Sequence, residues 1–175
     1  TYPPKKIARL FLKQEKKMEL WSKNEKKWIF VKEYQIKAAS GVAGPKLKEG
    51  DMQVPEGIYK IELLNPNSNY HLSMKINYPN EFDLEQAKLD GRGNLGGDIF
   101  IHGKALSAGC LAMGDEASEE LFILTNRVGI KNVKVIISPY DCRGKSLISK
   151  ANSPPNWLPI LYAKITQEFL TFTLK

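Results

Sequence analysis

Three short apolar runs follow one another near the start of the chain, IARLFL, KMELW and WIFVKEYQI, divided by KQEKK and SKNEKK. Each is shorter than a stable helix needs, and each is rich in the β-branched and aromatic side chains that suit a pleated, half-buried surface. Polar, Lys-rich separators at this spacing are turns, so residues 7–37 read as an antiparallel meander. In the second run the period-two rule puts Met18 and Leu20 on one face and Glu19 and Trp21 on the other.

The pattern continues. SGVAGPKLKEGDMQVPEG is dense in Gly and Pro and reads as loop, ending at Pro55 and Gly57. IYKIELL and YHLSMKI flank the turn-forming cluster NPNSN, which predicts a further hairpin. Pro79 in YPNEF cannot donate to a ladder and interrupts the sheet. DLEQAKLD is a short helix candidate with Asp83 near its N-terminus, ended by GRGNLGG. DIFIHG and VKVIIS read as buried strands. Between them, GDEASEELFILTNRVG has helix grammar: Asp115 as N-cap, Glu116, Glu119 and Glu120 toward the positive end of the dipole, and Gly129 as the stop. Leu121, Leu124 and Val128 then share a side. In the tail, Trp157, Ile160, Leu161, Ile165 and Phe169 fall at helical spacing. The sum is a mainly β domain with some α over residues 1–140, and a C-terminal extension, 141–175, that is helical and packed on the same domain.

A chain of 175 residues with 42% apolar and 26% charged side chains can enclose one real core. No apolar run is long enough to span a bilayer. The opening TYPPKK shows no signal-peptide pattern, so an exported protein would be read here in its mature part. Of the net charge of +7, residues 1–48 carry 13 Lys and Arg against 4 acids. Lysines between apolar runs guard strand edges; the same field would attract nucleic acid, anionic lipid or an anionic wall polymer. Nucleic acid would need a reader module, and none is present.

The chemistry concentrates in GGDIFIHGKALSAGCLAMGDEASEEL, where His102 stands eight residues ahead of Cys110. An ordinary thiol, with a pKa of about 8.5, is only a few per cent thiolate at neutral pH, and a nearby imidazole or helix N-terminus lowers that barrier. His102 ends a strand whose backbone is fixed by pairing. Gly103 removes bulk beside the imidazole, and its carbonyl can hold the second ring nitrogen and fix the tautomer. Gly109 lets a substrate approach the backbone, so the Gly109 and Cys110 amides are candidates for an oxyanion hole, with Ser107 bonding substrate or bracing the loop. The plainer alternative is a packed thiol and a strand-end histidine bonded to backbone. Cys142 is the chain's other cysteine; a bridge to it would leave Cys110 without a thiolate. No Cys/His spacing suits zinc, so no metal site is expected. His71 reads as structural or exposed, and Asp98 as a brace of the loop.

The residues His102-Gly103-x3-Ser107-x-Gly109-Cys110 resemble the signature of the L,D-transpeptidase catalytic-domain (YkuD-type) family. INYPNEF, VPEGIYKI and VKVIISPY are similar to its YafK-like branch over roughly residues 7–140. That resemblance implies a β-sandwich with a helix after the cysteine loop, and an exported periplasmic or envelope enzyme acting on peptidoglycan stem peptides with no metal or cofactor. It implies Cys110 as nucleophile, His102 as base and later acid, and the Gly103 carbonyl as its orienter. Ser107, Gly109 and the Cys110 amide would bind the substrate carbonyl, with Tyr78 and Asp98 in the cleft wall. Two positions depart from the family's pattern: Ala112 stands where an Arg is usual, and Ala108 where a His is common. Arg92 or Lys104 could then anchor a substrate carboxylate. The implied reaction is thioester formation at the diaminopimelate carbonyl. An amine of a second stem, or of a wall-linked envelope protein, would complete a transpeptidation. Water would make the protein an L,D-carboxypeptidase, or an amidase that releases attached protein. A wall-binding scaffold without turnover is the reading of another class.

Overall fold

The computed structural model describes residues 2–173. The meander forms as β1 (Lys6–Leu12), β2 (Lys17–Lys23) and β3 (Trp28–Gln35), paired antiparallel in sequence order. β4 (Ala38–Ala39) follows after only two residues, then an irregular stretch of 40–56. β5 (Gly57–Ser68) and β6 (His71–Ile76) make the second hairpin. Its turn is Asn69–Tyr70, so of the NPNSN cluster only Asn69 turns, while Asn65–Ser68 stay in β5 at a register shift.

The remaining elements are α1 (Glu81–Leu89), β7 (Phe100–His102), β8 (Leu111–Ala112), α2 (Asp115–Val128), β9 (Val133–Ser138) and α3 (Leu158–Phe169), with a 3-10 turn at Ile130–Asn132. The strand order is β3-β2-β1-β9-β5-β6-β7-β8-β4. Two pairings are parallel, β1 with β9 and β7 with β8. The first is non-local, and the hairpin reading of the sequence did not reach it. Among the described residues no helix is long and apolar enough to cross a membrane.

β3 and β4 lie at opposite ends of that order, yet Gln35 and Ala38 are three residues apart. An extended chain of that length reaches about 11 Å at most. The sheet must therefore curl until its two edges meet. Ile36 donates its amide to Lys16 in the β2 turn at 2.8 Å, and Lys37 donates to Ala112 of β8 at 2.8 Å. β5 turns the corner: Gly57–Lys60 pair with β9 and Ile61–Ser68 with β6.

The enclosed core takes Ile7, Phe11, Met18 and Leu20 from one half, and Ile101, Leu111 and Met113 from the other, with Leu121 and Val128 of α2. Arg9, fully buried, donates to the Leu121 carbonyl at 2.7 Å and to Thr125 Oγ1, tying α2 to β1. The outer face of β1, β2 and β9 is buried too. Ala8, Leu10, Leu12, Trp21 and Ile136 pack under Leu158, Leu161, Tyr162, Ile165 and Phe169 of α3. Those five recur at i, i+3, i+4, i+7 and i+11, one helical face. Ile160, assigned to that face from spacing, points outward and is 54% exposed.

Helix starts differ from the simplest reading of the sequence. In α1 the N-cap is Asn80, and Asp83 is the reciprocal partner of a capping box, with bonds of 2.9 and 3.0 Å. In α2 the N-cap is Gly114, at φ +81°. Asp115 is not the cap; its Oδ1 accepts the Lys104 amide at 2.8 Å, which joins the helix start to the loop after His102.

Candidate active site

Ile101 and Leu111 are opposite one another in the parallel β7–β8 pair, and both are fully buried in the core. Alternation then sends His102 and Cys110 to the other side, the imidazole beside Ala112 and the thiol beside Phe100. Parallel neighbours normally need a crossover of a dozen or more residues. Here β7 is only three residues long, so the chain from Gly103 to Cys110 can double back within the interval the sequence provides.

His102 is 3% exposed. Its Nδ1 donates to the Gly103 carbonyl at 2.5 Å, which leaves the Nε2 lone pair as the acceptor. The Tyr70 ring covers the imidazole at 4.8 Å between centroids. Burial holds the imidazole below its ordinary value, partly countered by the Gly103 contact. At neutral pH the ring is an uncharged base.

Gly103 has a steric reason to be glycine. A Cβ there would lie 2.7 Å from Asp115 Oδ1, 2.8 Å from the Tyr70 carbonyl and 2.9 Å from His71 Cβ. Gly103→Ala is therefore expected to displace the carbonyl that orients His102, lowering turnover about 10²-fold. The same overpacking should cost about 1–3 kcal/mol in a thermal melt.

Cys110 is half-buried. Its Sγ accepts the Phe100 amide at 3.4 Å and donates to the Asp98 carbonyl at 3.7 Å. Burial pushes the thiol up; the Phe100 amide and Lys46 pull it down, and Asp98 adds to the rise. The thiol in this rotamer thus engages the strand backbone rather than the imidazole, and rests protonated. Cys142 is a free, buried thiol in the cluster under α3, so the Cys110–Cys142 bridge is not formed.

The loop ahead of the thiol is held by Ser40, which follows β4 and was not anticipated from sequence. Ser40 Oγ accepts the Gly109 amide at 2.6 Å. Ser107 Oγ accepts the Ser40 amide at 3.2 Å and donates to the Cys110 carbonyl at 2.5 Å. This corrects the expectation for Gly109: its amide is committed inside the protein, and of the two amides named for an oxyanion hole only that of Cys110 remains. Gly109 still requires glycine, at φ +92°.

A cleft of about 650 Å³, lined by Tyr78, Asp98, Gly97, Lys75, Glu62 and Glu81 among others, adjoins the site through Asp98, whose carbonyl accepts the Cys110 thiol; Cys110 and His102 are not in its wall. Tyr78 is 4% exposed and donates its hydroxyl to the Leu95 carbonyl at 3.1 Å, so it is a fixed wall. Asp98, at φ +52°, projects into solvent and pairs with Lys75 at 2.9 Å. Arg92 is committed elsewhere: it pairs with Asp90 at 3.0 Å, donates to the Leu47 carbonyl at 3.0 Å and lies over the Trp157 ring. The structure does not bring it to the cysteine. Lys104 enters through its backbone, and His71 pairs with Glu119 at 2.6 Å.

Ala112 is fully buried between its strand partners His102 and Ala38, a place with no room for a long cation. The cation whose field reaches the thiol is Lys46, held at 2.7 Å by Asp51 within the 40–56 stretch. That stretch has no regular structure but is tightly bonded. Lys13 Nζ donates to the Gly44 and Val54 carbonyls at 2.9 and 2.8 Å and pairs with Glu56 at 3.1 Å. Glu56 also accepts the Gly44 amide at 2.7 Å and the Tyr162 hydroxyl of α3 at 2.9 Å.

Comparison with known proteins places these observations. The sequence profile of the YkuD L,D-transpeptidase catalytic domain matches residues 9–137. YafK of Escherichia coli K12, whose name carries an L,D-transpeptidase assignment only provisionally, is 32% identical over 133 residues. The match takes 73% of this chain and 52% of YafK. The helical cell shape determining protein Pgp2 of Campylobacter jejuni superposes with a TM-score of 0.63 at 25% identity, over 78% of this chain and 48% of that one. Bd1075 of Bdellovibrio bacteriovorus shares the fold with a TM-score of 0.56 at 18% identity, over 97% of this chain and 56% of that one. The chain thus spans about half the length of the relatives it matches.

Proposed function

Because the chain belongs to the L,D-transpeptidase catalytic-domain family, we propose that it is a cysteine-dependent acyl transferase acting on peptidoglycan stem peptides in the periplasm or cell envelope. One observation carries the reading. His102 is anchored through Nδ1 on Gly103, so that Nε2 is a neutral acceptor on the strand face from which Cys110 emerges.

In this mechanism Cys110 Sγ turns about its Cα–Cβ bond from the Phe100 amide toward the imidazole. It attacks the carbonyl at the L-centre of diaminopimelate, and its proton passes to His102 Nε2. The Cys110 amide donates to the developing oxyanion. Collapse breaks the amide bond; the departing amine of the D-residue takes the proton from the imidazolium, and a thioester remains. The free ammonium and carboxylate of diaminopimelate suit a cleft that offers Glu62, Glu81 and Asp98 together with Lys75. An amine of a second stem, or of a wall-linked protein, then takes the acyl group. A second reading, with water as acceptor, gives an L,D-carboxypeptidase or an amidase that releases wall-attached protein. It is favoured by the eight-residue step from His102 to Cys110, which builds little wall on the acceptor side.

The test incubates the protein with defined tetrapeptide muropeptides and reads the products by mass. A cross-linked dimer marks transfer, and loss of the terminal D-residue alone marks hydrolysis. Cys110→Ala is expected to abolish both; a variant that kept either product would overturn the nucleophile.

A further inference from the structure

Four neighbouring strands assemble a lysine row that the reaction above does not use. Lys23, Lys6, Lys134 and Lys60 sit on four consecutive strands, β2, β1, β9 and β5. In the ladder Lys6 is directly opposite Lys23, and Lys60 is directly opposite Lys134. All four share the parity of Trp21, Ala8, Ile136 and Ile58, so they lie on the face that α3 covers, at the end of the sheet. Like charges directly opposite one another destabilise a sheet. One of the four is neutralised, since Lys134 pairs with Glu168 at 2.7 Å.

The row is concave. With Lys131 it lines a hollow of about 250 Å³. A second hollow of about 900 Å³ continues from it, sharing Lys23, Trp28 and Lys134 and adding Lys26 and Lys27 from the β2–β3 turn. In the opposite direction the first hollow shares Asn77 with the cleft lined by Tyr78 and Asp98. Asn77 is fixed there, its side-chain oxygen accepting the Lys60 amide at 2.7 Å. Through Asn77 the cationic trough adjoins the cleft that ends at Asp98, whose carbonyl accepts the Cys110 thiol. A flat anionic surface would touch the rim of such a trough, whereas a chain with carboxylates at intervals can lie along its floor.

We propose that this trough binds the peptidoglycan strand itself, engaging carboxylates of neighbouring stems while one stem passes Asp98 to reach Cys110. The identity of the polymer rests on the function proposed above; the trough as a polyanion site rests on the lysine row alone. Binding of this kind is long-range and salt-sensitive.

The test measures co-sedimentation with purified sacculi, using Cys110→Ala protein so that no turnover is needed. Adding Lys6→Gln, Lys60→Gln and Lys131→Gln is expected to weaken sacculus binding about tenfold and to remove most of its salt dependence. In the catalytically intact background the same three changes should slow turnover of whole sacculi but not of a short soluble stem, which ends before the trough. Because Lys6→Gln and Lys60→Gln relieve like-charge pairs, the melting temperature should hold or rise. A second variant, Lys26→Gln with Lys27→Gln, changes only the exposed turn and should weaken binding in the same sense. Undiminished sacculus binding in both variants would overturn the proposal, as would tighter binding to phosphatidylglycerol vesicles than to sacculi. Failure of the intact protein to process a soluble stem would instead count against the enzymatic reading and leave the binding result standing.

Discussion

Replacement of His102 by Gln is expected to lower the rate of Cys110 acylation about 10²–10⁴-fold, the usual worth of a positioned general base. The pH dependence gives this prediction its shape. Burial holds His102 below, and Cys110 above, their ordinary values, so at neutral pH both partners are uncharged. At rest the pair is then an imidazole and a thiol, and in the proposed mechanism the thiolate forms only as the proton moves to Nε2 during attack. In the wild type, activity should be level through neutral pH and fall only when acid protonates His102, below the ordinary histidine value of about 6.5. In His102→Gln that acidic limb should vanish. What activity remains should climb with pH toward the raised thiol value, as uncatalysed ionisation takes over. Stopped acylation at several pH values checks this. An unchanged acidic limb in the variant would assign the base to another group.

Loss of the Glu56 carboxylate is the second large effect expected, and it falls on stability. Glu56→Ala leaves Lys13 buried without its partner and strips acceptors from the Gly44 amide and the Tyr162 hydroxyl. Breaking a buried ion pair from one side costs about 3–5 kcal/mol. For a chain of this size that lowers the melting temperature by roughly 10 °C. Calorimetry reads the loss directly. Tyr162→Phe, which removes only one of the bonds, should cost about 1 kcal/mol. A melting temperature unchanged in Glu56→Ala would mean that the 40–56 stretch is held by other contacts.

The parts of this molecule that could be read in sequence are those whose cause is local. The meander announced itself through period-two alternation and Lys-rich turns, and α2 through its acidic first turn and Gly129. His102, Gly103, Ser107, Gly109 and Cys110 lie within one short stretch, so their conjunction was visible before any fold was known. What escaped was made by distant chain. Ser40 holds Gly109 across 69 residues and has no signature of its own. Lys46 and Glu56 sit in a stretch that composition could only describe as loop. Arg92 was a free cation on paper; Asp90, Leu47 and Trp157, from three separate segments, occupy it. Ile160 satisfied helical spacing, but the face of α3 is set by which residues meet β1, and it is not one of them.

The meeting of the two sheet edges at residues 36–37 works as a clasp. Ile36 is fastened to one half and Lys37 to the other, so consecutive amides hold the curled sheet shut. Ser40 stands three residues beyond that fastening, with its hydroxyl on the amide just ahead of the thiol. Whatever springs the clasp slackens the grip on Gly109 in the same movement, and Cys110 stays on station only while the curled sheet is buttoned.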